Sequence, residues 1–374
     1  MKKLYLGIVF ILLAIYISPS KIIMQPYLQA VTDSSVVVMV ECDTKNDVVV
    51  RYGTNNELSQ TSKTEYFVKT ERPGKSFVHR IKLKNLLPDM EYKYNAIQSK
   101  SFSRKFSFKT AVKEGTKFSF AVMGDCRSNP GIHNQIASEI QRHKPNISIF
   151  LGDLCYNSSY LSWKKEFFVK EQLNLSSSIP FFNAVGNHEG WNQNTKAFQQ
   201  SPGLAKENSS FYSFNYGDIL FVIISTEESV KKGSRQYLYI KQTLEKSDKK
   251  WKIVAYHIPA LSYGPHNGNE DMIDLTAMLF ETNNVDITLA GHNHYYQHNF
   301  VNGIRHFVIG GGGAPLYEPV KGKYTIKSSK SYCYAVFDVE ENKIIINVYD
   351  IGGNVIDKLE INKIKNNKIR KSKL

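Results

Sequence analysis

Between residues 35 and 110 the apolar side chains come in short runs, at 35–41, 48–52, 77–83, 91–96 and 105–110, with turn residues between them. Runs of this length, rich in Val, Ile, Tyr and Phe, are the mark of β-strands. Among them, Leu86-Leu87-Pro88-Asp89-Met90-Glu91-Tyr92 predicts a tyrosine corner, in which a phenol bonds back to nearby backbone and pins a β-sandwich. Residues 22–110 are therefore expected to form an all-β unit. Past residue 117 the period changes. An apolar run at 118–123 is followed by helical spacing at 132–141 and a second apolar run at 147–151, the order of a βαβ unit. Further apolar runs lie at 181–185, 252–256 and 285–290, covering helices are predicted at 234–246 and 271–280, and 334–339 with 343–350 predict a hairpin. The fold class is α/β behind an all-β unit.

Polar strings end the apolar runs of the second region. They are Gly124-Asp125-Cys126-Arg127, Gly152-Asp153-Leu154-Cys155-Tyr156, Gly186-Asn187-His188-Glu189, Val254-Ala255-Tyr256-His257 and Gly291-His292-Asn293-His294. Open α/β sheets bind ligands at the carboxyl ends of their strands, where these strings fall. Carboxylates, an Asn carbonyl, a phenolate and neutral imidazoles suit Fe, Zn and Mn rather than Ca. A buried Asp is costly unless it is paired or bound to a metal. One Gly-Asp is an ordinary turn, whereas five such strings in order point to one shared site with ligands for two metal ions.

The ordered set resembles the calcineurin-like metallophosphoesterases, and Tyr156 three residues after Asp153 resembles the Gly-Asp-x-x-Tyr signature of the purple acid phosphatases. The resemblance implies an αββα sandwich over residues 117–360. It also implies a purple acid phosphatase N-terminal domain, fibronectin type III-like, over 22–110, where Tyr52-Gly53-Thr54 and His79 belong to the likeness. Carried over, the first metal would be held by Asp125, Asp153, Tyr156 and His294, and the second by Asp153, Asn187, His257 and His292. Asp153 would bridge. The metals implied are Fe(III), bound by the tyrosinate, with Zn, Mn or Fe(II).

Two metals roughly 3.5 to 4 Å apart can clamp a phosphate and bring the pKa of a bound water to about 7, so that a metal-bridged hydroxide attacks phosphorus in line. His188, after the ligand Asn187, and His266, which the resemblance implies as a substrate-contacting histidine, are candidates to protonate the leaving alkoxide, with Glu189 placed to orient His188. Arg127 stands where the family has Gly, and is expected either to fork onto phosphate oxygens or to pair with a surface carboxylate. The activity implied is hydrolysis of phosphate monoesters on a small molecule or polymer. The alternatives are a phosphodiesterase on the same site, suggested by Arg127 and Asn267, and a catalytically inert surface binding protein. Homodimers are frequent in the family.

Composition adds less. At 374 residues and 42% hydrophobic, the chain can bury a large core. Lys2 and Lys3, the apolar run 4–17 and Ser18-Pro19-Ser20 predict a signal peptide over 1–20, hence export, with an uncleaved membrane anchor as the alternative. Four cysteines are too few for a disulfide framework, although Cys126 and Cys155 follow neighbouring site strands and leave one bridge open. The net charge of +14 favours anionic partners, and the basic tail 361–374 is a candidate contact for an anionic surface. No nucleic-acid module accompanies it. Gly310-Gly311-Gly312-Gly313 lacks the Gly-Lys-Ser/Thr of a phosphate-binding loop and reads as a tight strand-end turn.

Overall fold

Hydrophobic burial between two sheets organises the molecule. In the computed structural model, which describes residues 21–202 and 208–363, Phe118–Met123, Ile147–Phe150 and Phe181–Asn183 pair in parallel. Cys333–Glu340 adds antiparallel to the outer side of Phe118–Met123, followed by Lys343–Asp350 and Val355–Asn362. The facing sheet has the spatial order Tyr212–Tyr216, Ile219–Ile223, Trp251–Ala255, Ile287–Ala290, Ile304–Ile309, Tyr296–Val301 and Thr325–Ser329. Aromatic rings join the two across the gap: Phe120 lies 5.2 Å from Phe221, and Phe182 stacks on Phe214.

Helices cover the outer faces, completing the expected αββα arrangement. Pro130–His143 is capped by the Asn129 side chain, which accepts the Ile132 N–H, and carries Pro130 in its first turn. Its buried stripe, His133, Ile136, Ala137 and Ile140, has helical period and packs with Trp163, Phe167 and Leu175. On the opposite face, Arg235–Lys246 buries Tyr237, Ile240 and Leu244 against Val222 and Val254. The predicted hairpin is present as Cys333–Glu340 paired with Lys343–Asp350.

The N-terminal region forms the expected strands, and Tyr92 Oη accepts the Leu87 N–H at 3.0 Å, the bond of a tyrosine corner. Its outer sheet runs Gln60–Lys63, Val49–Gly53, Glu91–Gln98 and Ser101–Phe102. Its inner sheet is not separate from the rest. Ile22–Gln29, antiparallel to Val36–Cys42, meets Phe181–Asn183 in parallel at Gln29 and Phe181, so one ten-stranded sheet runs through both regions.

Buried charge reinforces this junction. Arg80 is fully buried and donates to the carbonyls of Lys196, Ala197 and Gln199 and to the Gln200 side chain. Glu41, also buried, accepts from Ser76, Tyr160 and Lys164. All four cysteines are buried free thiols, so the open Cys126–Cys155 bridge is not formed. The predicted signal peptide and all but the first three residues of the predicted basic tail lie outside the described residues.

Two measurements test these contacts. Arg80→Met leaves several buried acceptors without donors and should cost about 3 to 5 kcal/mol in urea unfolding. His133 is buried, and burial lowers its pKa from 6.5 to about 4. The unfolded chain therefore takes up a proton that the folded one refuses, and stability falls as pH falls from 6.5 toward 4. His133→Phe should flatten that slope in unfolding curves at pH 7 and pH 5. His306, lowered to about 4 by burial and by His298, leaves part of it in place.

Candidate metal centre

All parallel strands of the two sheets point their carboxyl ends to the same side, and the five polar strings meet there. Asp125 follows Phe118–Met123, Asp153 follows Ile147–Phe150, and Asn187 and His188 follow Phe181–Asn183. His257 comes after Trp251–Ala255, and His292 and His294 after Ile287–Ala290. Asp125, Asp153 and His292 take left-handed backbone conformations, with φ of +58°, +52° and +69°. Such residues cost of order 1–3 kcal/mol each and persist where the surroundings fix them. Gly186 is part of that fixing, because a Cβ there would overlap the Asp153 backbone nitrogen and its Oδ1. The Gly310–Gly313 run turns tightly at the end of Ile304–Ile309 and also seats the first Asp: Gly312 N–H donates to the Gly124 carbonyl, and Ala314 N–H to that of Asp125.

Donor atoms converge in two groups. In one, His257 Nε2 lies 3.2 Å from Asp153 Oδ1 and 3.0 Å from Asn187 Oδ1, while His292 Nδ1 lies 3.2 Å from Asn187 Oδ1 and 3.3 Å from His257 Nε2. Ligands about 2.1 Å from one ion at right angles are about 3 Å apart, so this spacing fits a metal. In the other group, Asp125 Oδ1 lies 3.5 Å from His294 Nε2 and has no hydrogen-bond partner despite complete burial. Asp125, Asp153 and His257 together form a compact candidate metal-binding cluster.

Backbone carbonyls set the imidazoles. His257 Nδ1–H donates to the Leu151 carbonyl and His294 Nδ1–H to that of Pro315, each at 2.7 Å, so both Nε2 lone pairs face the site. Burial, with His257 and His266 beside it, lowers His292 to about 3, and burial, aided by Arg127, lowers His294 to about 4. Both are neutral, the form that binds a metal. Burial and the neighbouring Asp153 push Asp125 well up. Burial acts upward on Asp153 too, but His257, His188 and Arg127 outweigh it and its net shift is down. The carboxylate pair is thus short of positive charge.

The remaining expected residues fall as follows. Tyr156 is at the rim, 56% exposed, with its ring 5.5 Å from that of His188. His188 donates Nδ1–H to the Tyr156 carbonyl at 2.6 Å and places Nε2 3.8 Å from Asp153 Oδ2. His266 is exposed, with its ring 4.9 Å from that of His292. Glu189 departs from expectation. It does not orient His188 but turns inward and accepts the N–H groups of Gly186 and Leu154, tying two site loops together. Burial and then Asp153 raise it to about 8. Arg127 does pair with a carboxylate, but with the buried Asp153 and not a surface one, its Nε 3.1 Å from Oδ2.

Two family models match: the calcineurin-like phosphoesterase over residues 118–296, which contains the whole site, and the purple acid phosphatase N-terminal domain over 23–110. The chain is a purple acid phosphatase-like member of the calcineurin-like phosphoesterases. Purple acid phosphatase 18 of Arabidopsis thaliana is 27% identical over 74% of this chain and 68% of its own length. Acid phosphatase type 7 of Homo sapiens is 27% identical over 60% of this chain and 57% of its own. Probable inactive purple acid phosphatase 1 of Arabidopsis thaliana is 25% identical over 66% and 50%. The chain thus spans about half to two thirds of the length of these relatives. Purple acid phosphatase PPD1 of yellow lupin (Lupinus luteus) superposes with a TM-score of 0.76 over 90% of this chain and 74% of its own, at 20% identity, which is a likeness of fold.

Several residues that hold this family site together carry no signal in the motifs. Glu166 accepts from the N–H groups of Ser128 and Tyr156 and so ties the loops of the two Asp residues. Asn293 donates to Ser262 and to the His266 carbonyl, and Tyr317 stacks on His294 at 4.2 Å. Only Asn293 lies inside a recognisable string. For the inward carboxylate, Glu189→Ala should cost about 2 to 3 kcal/mol in denaturant unfolding, since two buried N–H groups lose their acceptor. Glu189→Gln, which keeps one acceptor oxygen, should fall between.

Proposed function

We propose that the chain is a hydrolase of phosphate monoesters that works with two metal ions. The observation that carries this reading is the 3.0 to 3.3 Å convergence of Asp153, Asn187, His257 and His292 donor atoms, with the His257 ring aimed by the Leu151 carbonyl. Asp125, Asp153, Tyr156 and His294 would hold one ion, and Asp153, Asn187, His257 and His292 the other. Bound there, the ions would polarise the phosphate oxygens and acidify a water.

The protein's own groups do the rest. His188, with Nδ1–H committed to the Tyr156 carbonyl, keeps Nε2 toward the site. To pass a proton to the leaving oxygen it must carry one on Nε2 as well. His266, exposed next to His292, is the second group able to donate at the mouth. Its backbone is held by Asn293, which accepts the His266 N–H and donates to the His266 carbonyl.

Tyr156 decides the metal. If its phenolate binds Fe(III), iron-loaded protein absorbs visible light, and Tyr156→Phe removes the colour while leaving the fold. A phosphorylated substrate and export through segment 1–20 belong to the same proposal. Among the described residues no helix is long and apolar enough to cross a membrane.

The test is hydrolysis of an aryl phosphate monoester and the matching diester by metal-loaded protein from acidic to neutral pH. A monoester preference is expected, and a diester preference would move the activity to phosphodiesterase. Asp153→Asn should reduce turnover by at least about a thousandfold, because it removes the carboxylate shared by both ions. Turnover near the wild-type rate in that variant would end the two-metal reading.

A further inference from the structure

Arg127 touches two atoms that the first metal would need. Its Nε donates to Asp153 Oδ2 at 3.1 Å, and its Nη2 lies 3.3 Å from His294 Nε2. His294 Nδ1 carries its proton toward the Pro315 carbonyl, so Nε2 presents a single in-plane lone pair, and the guanidinium N–H points at it. One lone pair cannot accept that hydrogen bond and bind a metal at the same time. The side chain is nearly enclosed, at 12% exposure, and always charged. It therefore supplies positive charge to the pair Asp125 and Asp153, which lacks it.

We propose that Arg127 gates the first half of the metal centre. It and a metal on His294 exclude one another, and the half-site of Asn187, His257 and His292, which draws on Asp153 through Oδ1 and not the Oδ2 that Arg127 holds, fills first. This inference rests on the two-metal reading above. Loading of the first half-site costs the displacement of an internal cation, so the two metals bind with unequal affinity although the ligand sets are similar in size. Arg127 lies two residues after Asp125, and its Nη1 already reaches the exposed Ser128 hydroxyl at 3.3 Å. The released guanidinium thus has a path to the rim of the site.

The test is titration of the metal-free full chain with Mn2+, counting free ion by its magnetic resonance signal. Wild type should show one tight and one weak site. Arg127→Met, which keeps the stem and removes the donors, should tighten the weak site by about tenfold or more, the scale of one charge-assisted hydrogen bond. The same substitution should lower the melting temperature of the metal-free protein, because Asp153 loses its cation. Arg127→Lys, which keeps the charge, should stay closer to wild type in both. His294→Ala should abolish the weak site, and in that background Arg127→Met should no longer change Mn2+ affinity. Equal affinities in wild type and Arg127→Met, or tightening that persists without His294, would overturn the gate. Absence of Mn2+ binding by every variant would instead overturn the two-metal reading on which the gate rests.

Discussion

Two carboxyl groups with almost no contact with water, Asp125 and Asp153, meet at the carboxyl ends of neighbouring strands, and most of the surrounding structure answers that placement. Desolvation alone would drive both toward the neutral form. What holds one of them ionised is local: His257, His188 and Arg127 around Asp153. Backbone geometry adds to this. Asp125 and Asp153 adopt left-handed conformations that turn each carboxylate back toward the other strand ends, and His292 does so from the facing sheet. The Asp125 Oδ2 atom accepts the His292 N–H at 2.8 Å, so one strained turn orients the next.

The loops that carry the site are held by groups that never face it. Glu189 ties the Asn187 loop to the Asp153 loop, Glu166 ties the Asp153 loop to that of Asp125, and the Gly310–Gly313 run lies flat against the turn of Asp125. A site built this way is rigid because each loop borrows an acceptor from its neighbour. Tyr317, stacked on His294, and Asn293, bonded beneath His266, extend the same scheme to the mouth.

How much of this is legible in the sequence depends on whether a residue acts through pattern or through contact. The site strands and the helix Pro130–His143 are legible because their apolar periods are clean, and the ligand strings because they end those periods. Tyr296–Val301 is not. It carries Gln297, His298 and Asn299, all buried, whose polarity hides a strand satisfied by side-chain bonds such as Asn299 to Gln297 and Gln297 to the Val320 carbonyl. Ile22–Gln29 reads as the start of a sandwich, yet its last residue pairs with a strand more than 150 positions away, and no local pattern encodes that partner. Arg127 and Glu189 lie in the motifs, but their partners, Asp153 and the Gly186 and Leu154 amides, were out of reach of spacing arguments.

The continuous sheet gives the N-terminal region a protective task. Phe181–Asn183 is short, wholly buried and flanked by Ile147–Phe150 on one side only, so without Ile22–Gln29 it would end the site-bearing sheet as an open edge. Open apolar edges invite pairing with other chains. Residues 21–42 therefore serve as a permanent edge guard, and the loop carrying Asn187 and His188 leaves the sheet from the strand they shield.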